Sequence, residues 1–119
     1  MSELVHHVEV WVADLARTVE QWEPLMLALG AERYQGWERG RSWRRGGSYV
    51  VVEQSADLRS DVPYDRVRAG LNHLALRGER TAVDAALAAG WTVRVDTGSA
   101  VHLLDDAGFE VEVVLPAKG

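Results

Sequence analysis

The amino-terminal part of the chain alternates between apolar and polar positions. Within residues 5–13, valines stand at positions 8, 10 and 12 and alternate with His7, Glu9 and Trp11. A two-residue period predicts a strand with one apolar face. The three intervening side chains therefore share the opposite face of this strand.

A helical spacing follows the strand. From residue 15 to residue 29, apolar residues recur at steps of three and four, which predicts a helix with one apolar face. Asp14 is a favourable N-cap because its carboxylate can accept hydrogen bonds from the free amides of the first turn. Gly30 is a favourable helix stop. Pro24 lies inside the pattern and has no amide hydrogen, so we expect it to kink the helix or end it early.

The same order of elements then occurs twice. Strands are predicted at 32–37, 41–45 and 48–54, with a tight hairpin at Gly46-Gly47. The second series is a strand at 70–77, a helix at 81–89, and strands at 91–95, 100–104 and 109–115. This repeat predicts an α+β fold of two βαβββ modules within a single domain over 1–119. Module one spans about 4–57, a linker about 58–69, and module two about 70–116.

Each half carries one histidine and one glutamate at similar places. His7 and His73 lie in the opening strands, while Glu53 and Glu112 follow the helix-ending glycines by 23 and 22 residues. The aliphatic faces of the strands must cover the helices, so these four side chains point to the other face. If the sheet curves, that face lines a cleft, where imidazoles and carboxylates need a partner. A divalent cation such as zinc, nickel, cobalt, manganese or iron satisfies them together.

Composition narrows the class of protein. The 119 residues are 47% hydrophobic and 26% charged, which is typical of one soluble globular domain. The sequence has no cysteine, no apolar run that could span a bilayer and no secretory pattern. We therefore expect a cytoplasmic protein without disulfides or a membrane partner. The formal net charge of −5 disfavours nucleic acid as a partner.

Three segments resemble motifs of the glyoxalase/bleomycin resistance protein/dioxygenase superfamily, the vicinal oxygen chelate (VOC) proteins. Residues 7–15 (HVEVWVADL) resemble the opening strand of a glyoxalase-type module, and residues 70–76 (GLNHLAL) resemble the start of the second module. Residues 105–113 (DDAGFEVEV) resemble the closing motif, in which a ligand glutamate follows a glycine by four positions. The resemblance covers roughly residues 4–115.

The resemblance implies a U-shaped sheet around one divalent metal ion held by His7, Glu53, His73 and Glu112. It also implies a homodimer with shared sites and a small-molecule substrate whose neighbouring oxygens the metal chelates. Four ligands favour an isomerase or lyase, in which Glu112 or Glu53 moves a proton. A dioxygenase of this family typically uses two histidines and one carboxylate, and is therefore less favoured.

A second hypothesis is a non-catalytic protein that sequesters an aromatic, antibiotic-like ligand, as a metal-free branch of the family does. Under either hypothesis, the predicted substrate pocket contains Trp11, Trp43, Tyr49 and Arg77. Glu9 and Glu110 are expected to be supporting or exposed carboxylates. Their expected partners are Arg41, Arg45 or Arg77. A bound metal favours the enzyme, and an aromatic cleft that binds no metal favours the sequestering protein.

Overall fold

A computed structural model describes residues 3–58 and 64–117 of the chain. The first half contains β1 His7–Val12, α1 Leu15–Ala28, β2 Glu32–Trp37, β3 Gly40–Arg45 and β4 Ser48–Gln54. The second half contains β5 Leu74–Arg77, α2 Arg80–Ala88, β6 Thr92–Asp96, β7 Ala100–Leu104 and β8 Glu110–Val114. The predicted α+β fold with two βαβββ units is therefore confirmed. The proposed module boundaries remain predictions, and residues 59–63 of the predicted linker lie outside the described residues.

Each half forms its own four-stranded sheet with the same topology. Sheet A has the order β1-β4-β3-β2, and sheet B has the order β5-β8-β7-β6. β1 pairs with β4, and β5 with β8, in parallel. All other neighbouring strands in the two sheets are antiparallel. β5 begins at Leu74, later than predicted, because the residues before it bond to the preceding segment: the Asn72 side chain donates to the carbonyl of Arg66.

Helix α1 begins where its N-cap predicts. The Asp14 carboxylate accepts a hydrogen bond from the amide of Arg17 at 3.1 Å. The helix continues through Pro24 to Ala28, so the predicted early end is wrong. Pro24 is exposed, and the carbonyl of Glu20, which loses its usual amide partner there, can bond to water instead.

Helix α1 joins the two halves through Trp22. The Trp22 side chain is 0% exposed, and its ring lies 5.7 Å from Trp91 and 5.5 Å from Phe109, both in the second half. Its indole nitrogen donates to Asp105 at 2.9 Å. Residues of both halves therefore contribute to one apolar core around the helices.

The faces of the two sheets that point away from the helices are here called the open faces. In the single chain, β1 and β5 are edge strands of separate sheets, and the molecule is elongated, measuring 49 × 30 × 28 Å. Among the described residues, no helix has the length and apolar character needed to cross a membrane.

Replacing Trp22 by alanine should lower the free energy of unfolding by about 3–5 kcal/mol, because the substitution leaves a cavity between the halves and removes the donor to Oδ2 of Asp105. Urea denaturation followed by circular dichroism measures this loss. Trp11→Ala is the matched control, since that side chain is 54% exposed and its removal should change stability by less than about 0.5 kcal/mol. Equal losses for the two variants would contradict this account of the core.

Candidate functional site

The open face of sheet B gathers polar side chains from adjacent strands. The register places His102 of β7 opposite Glu112 of β8. Strand β6 contains a bulge between Val93 and Val95, and Arg94 is the extra residue. Arg94 follows Val93, which pairs with the core residue Leu103, so its side chain lies on the His102 face, and its guanidinium reaches the carboxylate of Glu110 on β8.

His73 directly precedes β5 and contacts Glu112. The Nε2 atom of His73 lies 2.9 Å from Oε1 of Glu112. The Asn72 amide nitrogen donates to the carbonyl of Arg66 at 2.8 Å, so the Asn72 amide oxygen faces His73 Nδ1, also at 2.8 Å. That oxygen can only accept, so Nδ1 of His73 carries a proton. This leaves Nε2 as the atom that faces the carboxylate.

The spacing of His73 and Glu112 suits a shared cation. With Nδ1 protonated, a neutral His73 presents a lone pair at Nε2, and two acceptors 2.9 Å apart need a proton or a metal ion between them. Two ligand atoms that each lie about 2.1 Å from one zinc ion are about 3.0–3.4 Å from one another. The donor atoms present therefore fit a divalent metal in their chemistry, and the 2.9 Å contact would lengthen slightly to admit one.

Glu110 is the buried centre of the same face. Its side chain is 0% exposed, and Arg94 donates to its two oxygens at 2.7 and 3.3 Å. His102 Nδ1 lies 2.7 Å from Glu110 Oε2, and Arg66 lies 3.6 Å away. Burial alone would raise the pKa of Glu110, but the hydrogen bonds from Arg94 and His102 outweigh it and hold that pKa below its ordinary value.

The carboxylates next to the predicted ligands have other partners than expected. Glu110 pairs with Arg94 instead of Arg41, Arg45 or Arg77, and Glu9 accepts from the Trp11 indole at 2.6 Å. The expected pairing is therefore wrong. The physical reason is that Arg41 and Arg45 donate to backbone carbonyls, while Arg94 lies on the same face of sheet B as Glu110 and within reach of it.

The open face of sheet A has a different character. The register places Tyr49 of β4 opposite His7, and the two rings stack at 4.7 Å between centroids. Glu53 lies opposite Trp11, four residues further along the strand, which corresponds to about 13 Å. Trp37 donates its indole hydrogen to Glu53 at 3.3 Å.

The registers also test which positions of the two sheets are equivalent. His73 precedes Leu74, which pairs with Val111, so Glu112 lies two positions beyond the register partner of His73. In sheet A the residue two positions beyond the partner of His7 is Val51. The residue counts from the helix-ending glycines matched Glu53 with Glu112. The strand registers instead match Glu112 with Val51, which lies two residues before Glu53. The ligand role of Glu53 stays a prediction.

The predicted pocket residues lie in two places. Trp11 is exposed on the open face of sheet A, whereas Trp43 is 1% exposed on the helix side of the same sheet and donates to Glu23 at 3.2 Å. Trp43, Tyr49 and Arg77 border one small cleft between the halves. They therefore do not form a single pocket with Trp11 in this chain.

Of the four predicted ligands, the structure brings together His73 and Glu112 on sheet B, while His7 and Glu53 lie on sheet A. Within residues 3–58 and 64–117, no three histidine, aspartate or glutamate side chains are grouped as a ready metal site. A metal site built on His73 and Glu112 therefore needs at least one further ligand atom from another residue.

The sequence assigned no role to Arg94 and none to His102, and it predicted Glu110 only as a supporting or exposed carboxylate with other partners. These three residues are spaced eight apart, and two successive hairpins bring them to one face of sheet B. The eight-residue spacing was visible in the sequence. Its meaning depended on the hairpin registers and on the bulge in β6.

Comparisons with known proteins agree with this architecture. No family model matches the chain. The chain is 37% identical over 75 residues to an uncharacterised protein, YqjT, of Bacillus subtilis. That match covers 63% of this chain and 59% of the relative, which is less than two thirds of the relative's length.

Similarity to solved structures extends over nearly the whole chain. A candidate glyoxalase from Bacillus halodurans is 32% identical, with a TM-score of 0.82 and 97% of each chain covered. A glyoxalase/bleomycin resistance protein from Albidiferax ferrireducens is 14% identical, with a TM-score of 0.77 and coverage of 97% and 100%; this likeness shows the fold alone. The chain belongs to the glyoxalase/bleomycin resistance protein/dioxygenase (VOC) superfamily. Members of this superfamily commonly use divalent metal ions and bind small molecules.

Replacing Glu110 by glutamine should lower the free energy of unfolding by about 1–3 kcal/mol at pH 7, because Arg94 and His102 lose an anionic acceptor. The folded-state pKa of Glu110 is lowered from its ordinary value of 4.5. Its contribution to stability is therefore complete above that value and is lost as the pH falls through the folded pKa. Urea denaturation of both proteins from neutral to acidic pH should show the difference shrinking below 4.5. A difference that does not change with pH would contradict the ion pair.

Proposed function

We propose that this protein is a divalent-metal-dependent enzyme of the isomerase or lyase type, which chelates neighbouring oxygens of a small substrate. The observation that supports this most is the 2.9 Å contact between His73 Nε2 and Glu112 Oε1, in which Asn72 directs the nitrogen lone pair toward the carboxylate. Metal-binding histidines characteristically use their second ring nitrogen in a hydrogen bond of this kind.

His7, His73 and Glu112 are the residues proposed to hold the metal. When bound, the ion would act as a Lewis acid that stabilises negative charge on the substrate oxygens. Asn72 maintains the ring orientation of His73. Glu112 is the carboxylate nearest this site and is proposed to transfer the proton that an isomerase or lyase requires. The register separates Glu53 from His7, so the proposal does not depend on Glu53, and the isomerase or lyase type rests on Glu112 as the proton-transferring carboxylate instead of on the number of ligands.

The third ligand in this proposal is His7 of a second copy of the chain. Two features support a homodimer with shared sites. β1 and β5 are edge strands of separate sheets within one chain, and the open face of sheet A exposes large aromatic side chains, among them Trp11, Tyr34 and Trp37. An apolar face of this kind is usually covered by another surface. The oxygens of a bound substrate would then lie between the two copies.

A second candidate function is sequestration of an aromatic molecule without metal. A row of rings on the open face of sheet A favours it. The Arg44 guanidinium lies 4.4 Å above Tyr34, Tyr34 lies 5.2 Å from Tyr49, and Tyr49 stacks on His7. Such a row offers a stacking surface to a planar ligand. A protein that takes up no metal under any loading condition would favour this function over the enzyme.

Single substitutions should separate the proposed ligands from Glu53. His73→Ala and Glu112→Gln should each weaken metal binding by at least about tenfold, because each removes a donor atom. Glu53→Gln should leave the affinity within about twofold of wild type, since the register places that residue away from His7. Isothermal titration with zinc, and metal content by mass spectrometry after dialysis, measure both effects. A large loss for Glu53→Gln together with none for Glu112→Gln would overturn the proposed ligand set.

Mixing two inactive variants tests whether the site is shared. His7→Ala and His73→Ala should each fail to hold metal tightly as homodimers. After unfolding and refolding together, half of the dimers should contain one chain of each kind, and each such dimer has one intact site. Recovery of about one quarter of the wild-type metal content is therefore expected. No recovery, in mixtures shown by light scattering to be dimeric, would place the whole site within one chain.

A further inference from the structure

His102 is directed toward Glu112 by a buried ion pair. Its Nδ1 atom lies 2.7 Å from Glu110 Oε2, and the carboxylate can only accept, so Nδ1 carries the proton. Arg94 donates to both oxygens of Glu110 and prevents that carboxylate from turning away. The other nitrogen of the ring, Nε2, lies 3.8 Å from Glu112 Oε1.

His73 and His102 are therefore arranged in the same way. In each ring, Nδ1 donates to a side-chain oxygen, which belongs to Asn72 for His73 and to Glu110 for His102. In each ring, Nε2 lies next to the same atom, Oε1 of Glu112, at 2.9 and 3.8 Å. The two ring centroids are 5.7 Å apart. Donation of one ring nitrogen to an oxygen acceptor is the usual support for a histidine that binds metal through the other nitrogen.

We propose that His102 is a ligand of the metal ion, together with His73 and Glu112. This inference rests on the proposed function, because it extends the donor set of the same site. The three donor atoms are not yet grouped around one point, since His73 contacts Glu112 directly. Binding therefore requires His73 and Glu112 to separate slightly and the His102 imidazole to approach Glu112.

The residues of sheet A explain why the site would use a ligand on β7. Val51 occupies the position in sheet A that corresponds to Glu112, and it has no donor atom. The position that corresponds to His102 is Ser42, which pairs with Val51 as His102 pairs with Glu112. The Ser42 hydroxyl bonds to the backbone of Gln35. With His7 from sheet A of the second copy, the site would then have four protein donors. An ion that accepts six ligands would keep two places for neighbouring substrate oxygens.

The alternative role for His102 is purely structural, as a hydrogen-bond donor that helps to bury Glu110. In that case its Nε2 atom would be unaffected by metal. The difference between the two roles can be measured at a single atom of the wild-type protein, so the result does not depend on whether a variant folds.

Zinc titration of the wild-type protein, followed by long-range proton–nitrogen correlation spectra of the histidine rings, tests the proposal. The Nε2 resonances of His73 and His102 should move together and saturate at the same zinc ratio. The indole nitrogen of Trp91, which is buried and donates to the carbonyl of Gln21, is the internal reference. A shift at His73 with none at His102 would overturn the inference and leave the proposed function intact. No shift at any histidine would overturn the proposed function itself.

Zinc affinity of His102→Gln provides a second measurement. The amide can still donate to Glu110 but is a poor metal ligand, so the dissociation constant should rise at least about tenfold. Asp96→Asn is the matched control, because Asp96 belongs to sheet B and bonds to Arg80 on α2. Both variants should retain the wild-type near-ultraviolet circular dichroism. Equal affinities for His102→Gln and Asp96→Asn would contradict the ligand role.

Discussion

The burial of Trp22 between the two halves is the interaction on which the rest of the structure depends. The indole contacts Trp91 and Phe109 and donates to Asp105, so one side chain fills apolar space and satisfies a polar group of the turn before β8. Because α1 is held in this way, the aliphatic faces of both sheets are used to cover helices. The remaining faces, which carry the histidines and carboxylates, are consequently left open.

The buried Glu110 imposes a second constraint, within sheet B. Removing a carboxylate from water is costly unless charged donors compensate it, and Arg94 and His102 both donate to it. These donors come from β6 and β7, so a shift in the register of either strand would take a donor away from the buried charge. A residue with no part in the apolar core thereby helps to specify the strand register, and with it the position of Glu112 beside His73.

The sequence was a good guide to local structure and a poorer guide to register. The bounds of β2, β4 and β7 agree with prediction because alternation, turns and glycines are local properties. The face shared by His7, Glu9 and Trp11 follows from the same alternation. The equivalence of Glu53 and Glu112 failed because counting along a chain does not reveal which residues lie opposite one another. Pairing also depends on bulges such as the one between Val93 and Val95, which shifts the register of the residues that follow it.

The two halves share a topology but not a chemistry. Beyond the histidine that each contributes, sheet A offers Tyr49, Val51 and Ser42 where sheet B offers Glu110, Glu112 and His102. At these positions the ionisable groups lie on sheet B, while the open face of sheet A presents rings that can stack on a ligand. If the open faces of two copies meet, each site combines a polar wall with an aromatic wall. Such a site would orient a planar substrate by stacking it on the aromatic wall, while the oxygens of the substrate reach the ion on the polar wall. A symmetric repeat, in which both sheets carry the same residues, could not divide the two roles in this way.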